Sequence, residues 1–99
     1  GTGFGNVRNL TVLAVEVAET RTFGRICNTG NQQLQVKSLK FELEDLANPK
    51  KGESLETQSV NFRDPYYVEP GQQFEFEGSR LALRGRVPGQ VTVKLVDWN

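Results

Sequence analysis

The sequence predicts an all-β domain, folded as a sandwich of two sheets with about seven antiparallel strands. Apolar and polar residues alternate with period two through most of the chain, which is typical of strands with one buried face. Clusters of Gly, Pro, Asn and Asp interrupt the alternation at intervals of roughly 8–15 residues, as turns between short strands do. No segment carries a helical stripe longer than about one turn. A small β-barrel is the alternative arrangement of the same strands.

The first predicted strand covers residues 10–17 and is apolar on both faces. We therefore expect it to be covered on both sides. A second strand over residues 21–28 ends at the turn Asn28-Thr29-Gly30-Asn31, because Gly and Asn accept the positive φ of a tight turn. The two faces of the first strand are Leu13, Val15 and Val17 on one side and Leu10, Val12 and Ala14 on the other.

The clearest alternation lies between residues 33 and 46. Leu39, Phe41 and Leu43 point to one face, and the charged residues between them point to the other. This pattern indicates a half-buried antiparallel strand with a solvated outer face, so we expect Phe41 to lie in the core. A polar loop that begins at Asn48-Pro49 ends the strand.

The second half of the chain alternates less regularly. A weaker extended run over residues 55–62 is expected to break at Asp64-Pro65, before a short element at residues 66–68 and a turn at Pro70-Gly71. Two further strands follow, separated by a turn at Pro88-Gly89. The first has Phe74 and Phe76 inward, and Leu81 and Leu83 either continue its sheet or bend away at Gly78. The inward side chains of the second are Val91, Val93 and Leu95, with Trp98 just beyond.

Composition argues against several classes of function. The 12 Lys and Arg residues balance 12 Asp and Glu residues, and a chain without net charge has no bulk field to gather nucleic acid. The chain has no histidine, and its one cysteine, Cys27, cannot form an internal disulfide. These residues cannot build a zinc, haem or iron–sulfur site, so we predict no cofactor. No run of about 18 apolar residues is present, so we predict no membrane span.

The 99 residues suffice for one domain with a single core. The glycine-rich start, residues 1–6, is interpreted as a flexible tail or linker remnant, and residues 7–99 as the domain. Because the chain contains no methionine, we expect it to be a processed chain or a part of a longer one.

Three segments follow one another in a recognisable order. Gly24-Arg25-Ile26-Cys27-Asn28-Thr29-Gly30-Asn31 comes first, Phe41-Glu42-Leu43-Glu44-Asp45 second, and Val68-Glu69-Pro70-Gly71-Gln72-Gln73-Phe74-Glu75-Phe76 third. Together, over roughly residues 22–77, they resemble the FxLYD domain, although Glu44 stands where that family usually has an aromatic residue. The resemblance implies an immunoglobulin-like sandwich from exported bacterial or archaeal proteins and lipoproteins, with no assigned catalysis.

The acidic residues do not form a recognisable active site. Two pairs of glutamates lie on outward, solvated faces, whereas acid–base catalysis needs buried or closely coupled carboxylates, so we predict no catalytic residue. Asp45, Asp64 and Asp97 stand at strand ends, where calcium ligands would lie, but we interpret them as scattered surface acids and predict no metal site. The glutamate pairs are Glu42 with Glu44 and Glu75 with Glu77.

Two surface features remain as candidates for binding a partner. Paired tyrosines beside a proline are typical of a recognition loop, and clustered arginines suit an acidic partner through bidentate contacts. We predict a non-catalytic interaction, assembly or spacer module of an exported or cell-surface protein, located outside the cytoplasm. It would bind protein through these residues or through an edge strand. The predicted partner-binding residues are Arg63, Tyr66, Tyr67, Arg84 and Arg86.

The same surface leaves a second function open. Tyr66, Tyr67 and Trp98 are candidate stacking faces for a carbohydrate-binding module. A coplanar row of exposed rings would support that function, and burial of the rings would argue against it. A further alternative is an accessory domain that completes the site of a larger enzyme.

Overall fold

The computed structural model of the chain describes residues 4–46 and 56–99. Within these ranges, seven strands form two separate antiparallel sheets that pack as a β-sandwich and do not close into a barrel. The predicted all-β sandwich is therefore confirmed. The strands are β1 Asn6–Val7, β2 Leu10–Val17, β3 Thr22–Asn28, β4 Leu34–Asp45, β5 Glu56–Val68, β6 Gln73–Gly78 and β7 Val91–Trp98. The first sheet has the strand order β1-β2-β3-β6 and the second has the order β5-β4-β7.

The core lies between the two sheets and contains the alternating residues that the sequence predicts. On β4, Leu39 and Phe41 are fully buried, while Lys40 between them is exposed. Phe76 on β6 and Leu95 on β7 belong to the same buried cluster. Full burial of such a side chain contributes about 1.5–3 kcal/mol, so this layer is a main source of stability. The prediction that Phe41 lies in the core is confirmed.

A β-bulge in β2 explains why both faces of that strand are apolar. The pairing of β2 with β3 shifts register at Leu13, which is an extra residue on β2. Leu10 and Val12 are buried before the bulge, and Val15 and Val17 pack against the core after it. Each half of the strand thus has one inward face. The expectation of cover on both sides is wrong at Leu13, which is 38% exposed.

β5 also contains a bulge, at the point where the sequence predicts a break. Asn61 pairs with Ser38 of β4, and Tyr66 pairs with Val36. The four residues 62–65 of β5 therefore lie opposite the single residue Lys37. Pro65 falls in this unpaired stretch, where its missing N–H costs no ladder hydrogen bond. The predicted break at this proline is therefore wrong, since one strand runs through the bulge.

Residues at the start of the chain are bonded into the sandwich. The Phe4 N–H donates to the Val12 carbonyl, and the Val12 N–H donates to the Gly5 carbonyl, both at 3.1 Å. The Phe4 carbonyl also accepts a hydrogen bond from the Leu95 N–H. Residues 4–6 belong to the segment that the sequence predicts to be a tail, and here they link β2 of one sheet to β7 of the other.

Candidate functional site

Hydrogen bonds close the seam between β5 and β6 on one side of the sandwich. The Ser79 N–H donates to the Asn61 carbonyl (3.0 Å), and the Asn61 N–H donates to the Ser79 Oγ (2.9 Å). Further along, the Tyr66 hydroxyl accepts from the Glu77 N–H and donates to the Glu77 carbonyl, each at 3.2 Å. Tyr66 thus occupies both backbone groups of Glu77 on the outer edge of β6.

The seam between β2 and β7, on the opposite side, is closed at one end. Phe4 bridges the two strands there, and the Trp98 indole N–H donates to the Val7 carbonyl (2.8 Å). Arg8 forms an ion pair with Asp97 (2.8 Å), and its guanidinium carbon lies 4.3 Å from the centre of the Trp98 ring. The Arg8 hydrogen bond, together with that from the Trp98 N–H, lowers the pKa of Asp97.

Beyond Phe4 this seam opens into a cleft of about 570 Å³, which we call the β2–β7 cleft. Residues 15–17 of β2 form one wall and residues 91–93 of β7 form the other. Most of the lining side chains are apolar. They are Phe4, Val15, Glu16, Val17, Leu83, Pro88, Val91, Thr92 and Val93.

The β7 wall of the cleft is an open strand edge. The Leu95 N–H is directed to Phe4 and therefore away from β4. Because backbone direction alternates along a strand, the N–H and carbonyl of Val93 point the same way, into the cleft. Within residues 4–46 and 56–99, no backbone group bonds to Val93 on that side.

The β2 wall is open in the same sense. The Ala18 N–H donates to the Arg21 carbonyl across the β2–β3 hairpin (2.9 Å). By the same alternation, the backbone groups of Val15 and Val17 point away from β3. No backbone group in the described part of the chain pairs with them there. As far as residues 4–46 and 56–99 show, two open edges thus flank one apolar cleft.

Glu16 gives the cleft its charge. It is the one charged residue among those that line the cleft in the described structure, and it is exposed. None of the described residues forms an ion pair with its carboxylate. The rim of the cleft therefore carries a carboxylate without an ion-pair partner in the described ranges, with Arg21 and Arg25 in the groove on its other side.

The two predicted tyrosines differ in exposure. Tyr66 is half-buried, and its ring centre lies 4.6 Å from that of Phe62 and 5.0 Å from that of Phe74. Tyr67 is 55% exposed, and its hydroxyl accepts a hydrogen bond from the Gln35 side chain (3.2 Å). Tyr66 therefore has a structural position between the sheets, whereas Tyr67 presents its ring to solvent.

The predicted arginines 84 and 86 lie near the start of β5, where carboxylates pair with them. Arg84 contacts Glu56 at 3.0 Å, and Arg86 contacts Glu56 and Asp45 at 3.3 Å each. Desolvation raises the pKa of Glu56, but hydrogen bonds from Gln58 and Arg86 and the charges of both arginines outweigh it, so the pKa lies below its usual value. The predicted positive cluster is thus balanced by two carboxylates.

The predicted binding residues do not form one surface. Arg63 is exposed in the β5 bulge and lines a shallow groove with Tyr66. Both residues lie towards the end of β5, whereas Arg84 and Arg86 contact Glu56 at its start. Trp98 packs against the core beneath Arg8. The three aromatic residues proposed for carbohydrate stacking are therefore not a row of open rings.

The residues of the β2–β7 cleft carry no motif. The only signal in the sequence is that β2 has more apolar residues than one inner face needs. Val91 and Val93 are predicted as ordinary core residues, because alternation does not reveal whether a strand lies at the edge of its sheet.

Comparisons with models of protein families, with curated proteins and with solved structures found no match for the chain. The resemblance to the FxLYD domain therefore stays a prediction from the three motifs. In the described ranges, no three His, Cys, Asp or Glu side chains cluster so that they could hold a metal ion. No helix there has the length and apolar character needed to cross a membrane.

Proposed function

We propose that this chain is a non-catalytic interaction module with an immunoglobulin-like sandwich, and that it binds another protein by strand addition at the β2–β7 cleft. The observation that carries the proposal is the pair of open edges, at Val15 and Val17 on β2 and at Val93 on β7, beside apolar walls. In strand addition, backbone hydrogen bonds provide affinity and pockets for alternate side chains provide specificity. Folded proteins usually cover or block such edges, so an open one suits a binding role.

The parent protein in this proposal is exported or lies at the cell surface. The support is the resemblance to the FxLYD domain, which occurs in exported proteins and lipoproteins. The chain also lacks histidine, the most common general base, and has one cysteine. This composition favours binding or assembly over catalysis.

The exposed face at the end of β5 is a second candidate contact surface of the same module. Tyr67 is 55% exposed there, and Arg63 is exposed in the adjoining bulge. Tyrosine and arginine are both enriched at protein interfaces. A carbohydrate-binding role has less support, because Tyr66 packs between aromatic rings and Trp98 lies beneath Arg8.

The test is to display fragments of the source organism's proteins and to select those that the domain binds. Val93→Pro removes the N–H that points into the cleft and keeps the pairing with β4, because proline is tolerated on an edge strand. The double variant Arg63→Ser/Tyr67→Ser changes the second surface and leaves the cleft intact. We expect captured fragments to be lost with Val93→Pro and kept by the double variant. Circular dichroism checks that both variants fold.

Hydrogen exchange on a selected complex reports the contact directly. The Val93 amide should exchange rapidly in the free domain and become protected when the fragment binds. Binding that survives Val93→Pro and leaves this amide unprotected would contradict the proposal. Loss of binding in the double variant alone would assign the function to the surface around Tyr67.

A further inference from the structure

We infer that the strand accepted by the β2–β7 cleft carries two aliphatic side chains, two positions apart, with a lysine or arginine between them. This inference rests on the proposed function and specifies the chemistry of the partner. The occupant is an extended segment of another polypeptide. Three features of the cleft lead to this pattern: its apolar walls, its length and its single charge.

The apolar walls determine the aliphatic positions. Val15 and Val17 on β2, and Val91 and Val93 on β7, are alternate residues that pack half-buried against the core. A strand between these walls directs every second side chain inward. A polar side chain at such a position would be buried without a partner, because the valine side chains offer it no hydrogen bond and the open backbone groups of the edges bond to the incoming backbone.

The length of the walls limits the motif to a short stretch. Each wall contributes three residues, 15–17 on β2 and 91–93 on β7. Strands rise by roughly 3.3 Å per residue, so the incoming strand places about three residues between walls of this length. The first and third of them point inward and the second points outward.

The charge at the rim determines the middle residue. Glu16 lies between the two inward valines of β2, on the outward side, and has no ion-pair partner in the described ranges. When an incoming strand pairs with β2, its outward side chain lies beside that of Glu16 on the same face of the sheet. Opposite charges at such positions stabilise the pairing, and like charges destabilise it.

The Phe4 segment shows that backbone groups of both strands at this seam can bond to a further segment of polypeptide. Phe4 hydrogen-bonds to Val12 on β2 and to Leu95 on β7, and it stands at one end of the cleft. The incoming strand would extend the same interaction along the seam. This continuity favours an extended peptide over a helix as the occupant.

Selection from a library of short random peptides tests the inference. Peptides are selected on the wild-type domain, and those that no longer bind Val93→Pro are sequenced. We expect this cleft-dependent group to be enriched in an aliphatic residue, then lysine or arginine, then an aliphatic residue. Methylation of the backbone nitrogens of a selected peptide should abolish its binding, and this measurement does not depend on how a protein variant folds.

Charge exchange tests the middle position. Glu16→Lys should weaken binding of a lysine-centred peptide by roughly two- to fivefold, as expected for an exposed ion pair, and should favour the matched glutamate-centred peptide. Glu69→Lys, at an exposed position just after β5 and outside the residues that line the cleft, is the matched control and should change neither affinity.

The outcomes separate the inference from the function on which it rests. Cleft-dependent peptides without the aliphatic–cation–aliphatic pattern would overturn the inference and leave strand addition intact. The inference is also overturned, and strand addition left intact, if Glu16→Lys does not shift binding from the lysine-centred peptide towards the glutamate-centred one. If no selected peptide depends on Val93 or on its own backbone N–H groups, both the inference and the proposed function fail.

Discussion

Asn28 shows how one buried polar side chain holds two parts of the sandwich together. Its side-chain amide donates to the carbonyls of Gln32 (2.7 Å) and Val68 (2.9 Å), and its side-chain oxygen accepts from the Gly30 N–H (2.9 Å). These bonds shape the turn after β3 and tie it to the end of β5 in the other sheet. Because Asn28 is fully buried, its polar atoms depend on these partners.

Asn28→Ala should therefore be strongly destabilising. It leaves the Val68 carbonyl and the Gly30 N–H without the partner that Asn28 provides. Each polar group left unsatisfied in this way costs about 1–3 kcal/mol, so we expect the free energy of unfolding to fall by about 2–4 kcal/mol. Asn31→Ala, at an exposed position of the same turn, should stay within about 0.5 kcal/mol of the wild type. Urea unfolding measures both. Equal stability of the two variants would contradict this role for Asn28.

Gly24 is required by the close approach of β2. A Cβ at this position would lie 1.9 Å from the Ala14 carbonyl oxygen and 2.9 Å from the Phe76 ring. Gly24→Ala would have to displace the backbone of β2, and we expect a loss of about 2–3 kcal/mol in the free energy of unfolding.

Gly89→Ala is the control for that substitution, because nothing lies within 4 Å of a Cβ built there. It should change the free energy of unfolding by no more than about 0.5 kcal/mol. Thermal unfolding compares the two variants. If the melting temperature of Gly24→Ala equals that of the control, the backbone of β2 can move away from the new Cβ without any loss of stability.

At the scale of elements, side chains hold the connection between β6 and β7 against β5. The Gln58 side chain donates to the Ala82 carbonyl and accepts from the Ala82 N–H, each at 2.8 Å. It thus makes the two hydrogen bonds that a neighbouring strand would otherwise make with Ala82. Glu56, two residues earlier on β5, pairs with Arg84 and Arg86 of the same connection. The connection is thus attached to the sheet without being a strand of it.

The pH dependence of stability should report the Glu56 pairs. The pKa of Glu56 in the folded chain is below the usual value of 4.5, so its ionised form stabilises the fold. This contribution is complete above the usual value and is lost as the pH falls through the lower, folded value. Unfolding in urea over a series of acidic pH values should show a shallower decline for Glu56→Gln than for the wild type. Identical declines would show that these pairs contribute nothing.

How well an element could be predicted from the sequence depended on whether one face stays buried along its whole length. Alternation predicted β6 and the parts of β4 and β7 around Phe41 and Leu95, where one side stays inward. It did not reveal the register shifts that β4 contains after Val36 and β7 contains at Val96. It failed for β2, where the bulge at Leu13 changes which residues face inward, and for β5, where residues 62–65 lie off the ladder within one continuous strand. A bulge arises from the pairing of two strands, such as the contact of Gly24 with Ala14, and neither strand shows it alone.

At the scale of the whole molecule, the candidate site depends on strand order. The sequence predicts an edge strand as a contact surface but not which strand, because the strand order that brings β2 next to β7 cannot be read from alternation. Tyr67 and Arg63 were recognisable from residue type, since both suit interfaces. The role of Tyr66 in closing the β5–β6 seam depends on where Glu77 lies in three dimensions, so no local pattern predicts it.

Phe4 joins the two sheets at the seam, so its loss should affect the stability of the whole molecule. Its ring packs half-buried against the core, and Phe4→Ala should cost about 1–2 kcal/mol. Val87→Ala, at a position that is 58% exposed, is the apolar control and should be nearly neutral. Calorimetry on both variants measures the difference. A neutral Phe4→Ala would be the result expected if residues 1–6 were only a tail.

The bulge of β5 bears on which margin of its sheet can accept a further strand. β5 and β7 form the two outer strands of the same sheet, but residues 62–65 of β5 lie off the ladder and include a proline. A strand added to this sheet would therefore pair along β7 and not along residues 62–65 of β5, where the backbone is irregular and Pro65 has no N–H to donate.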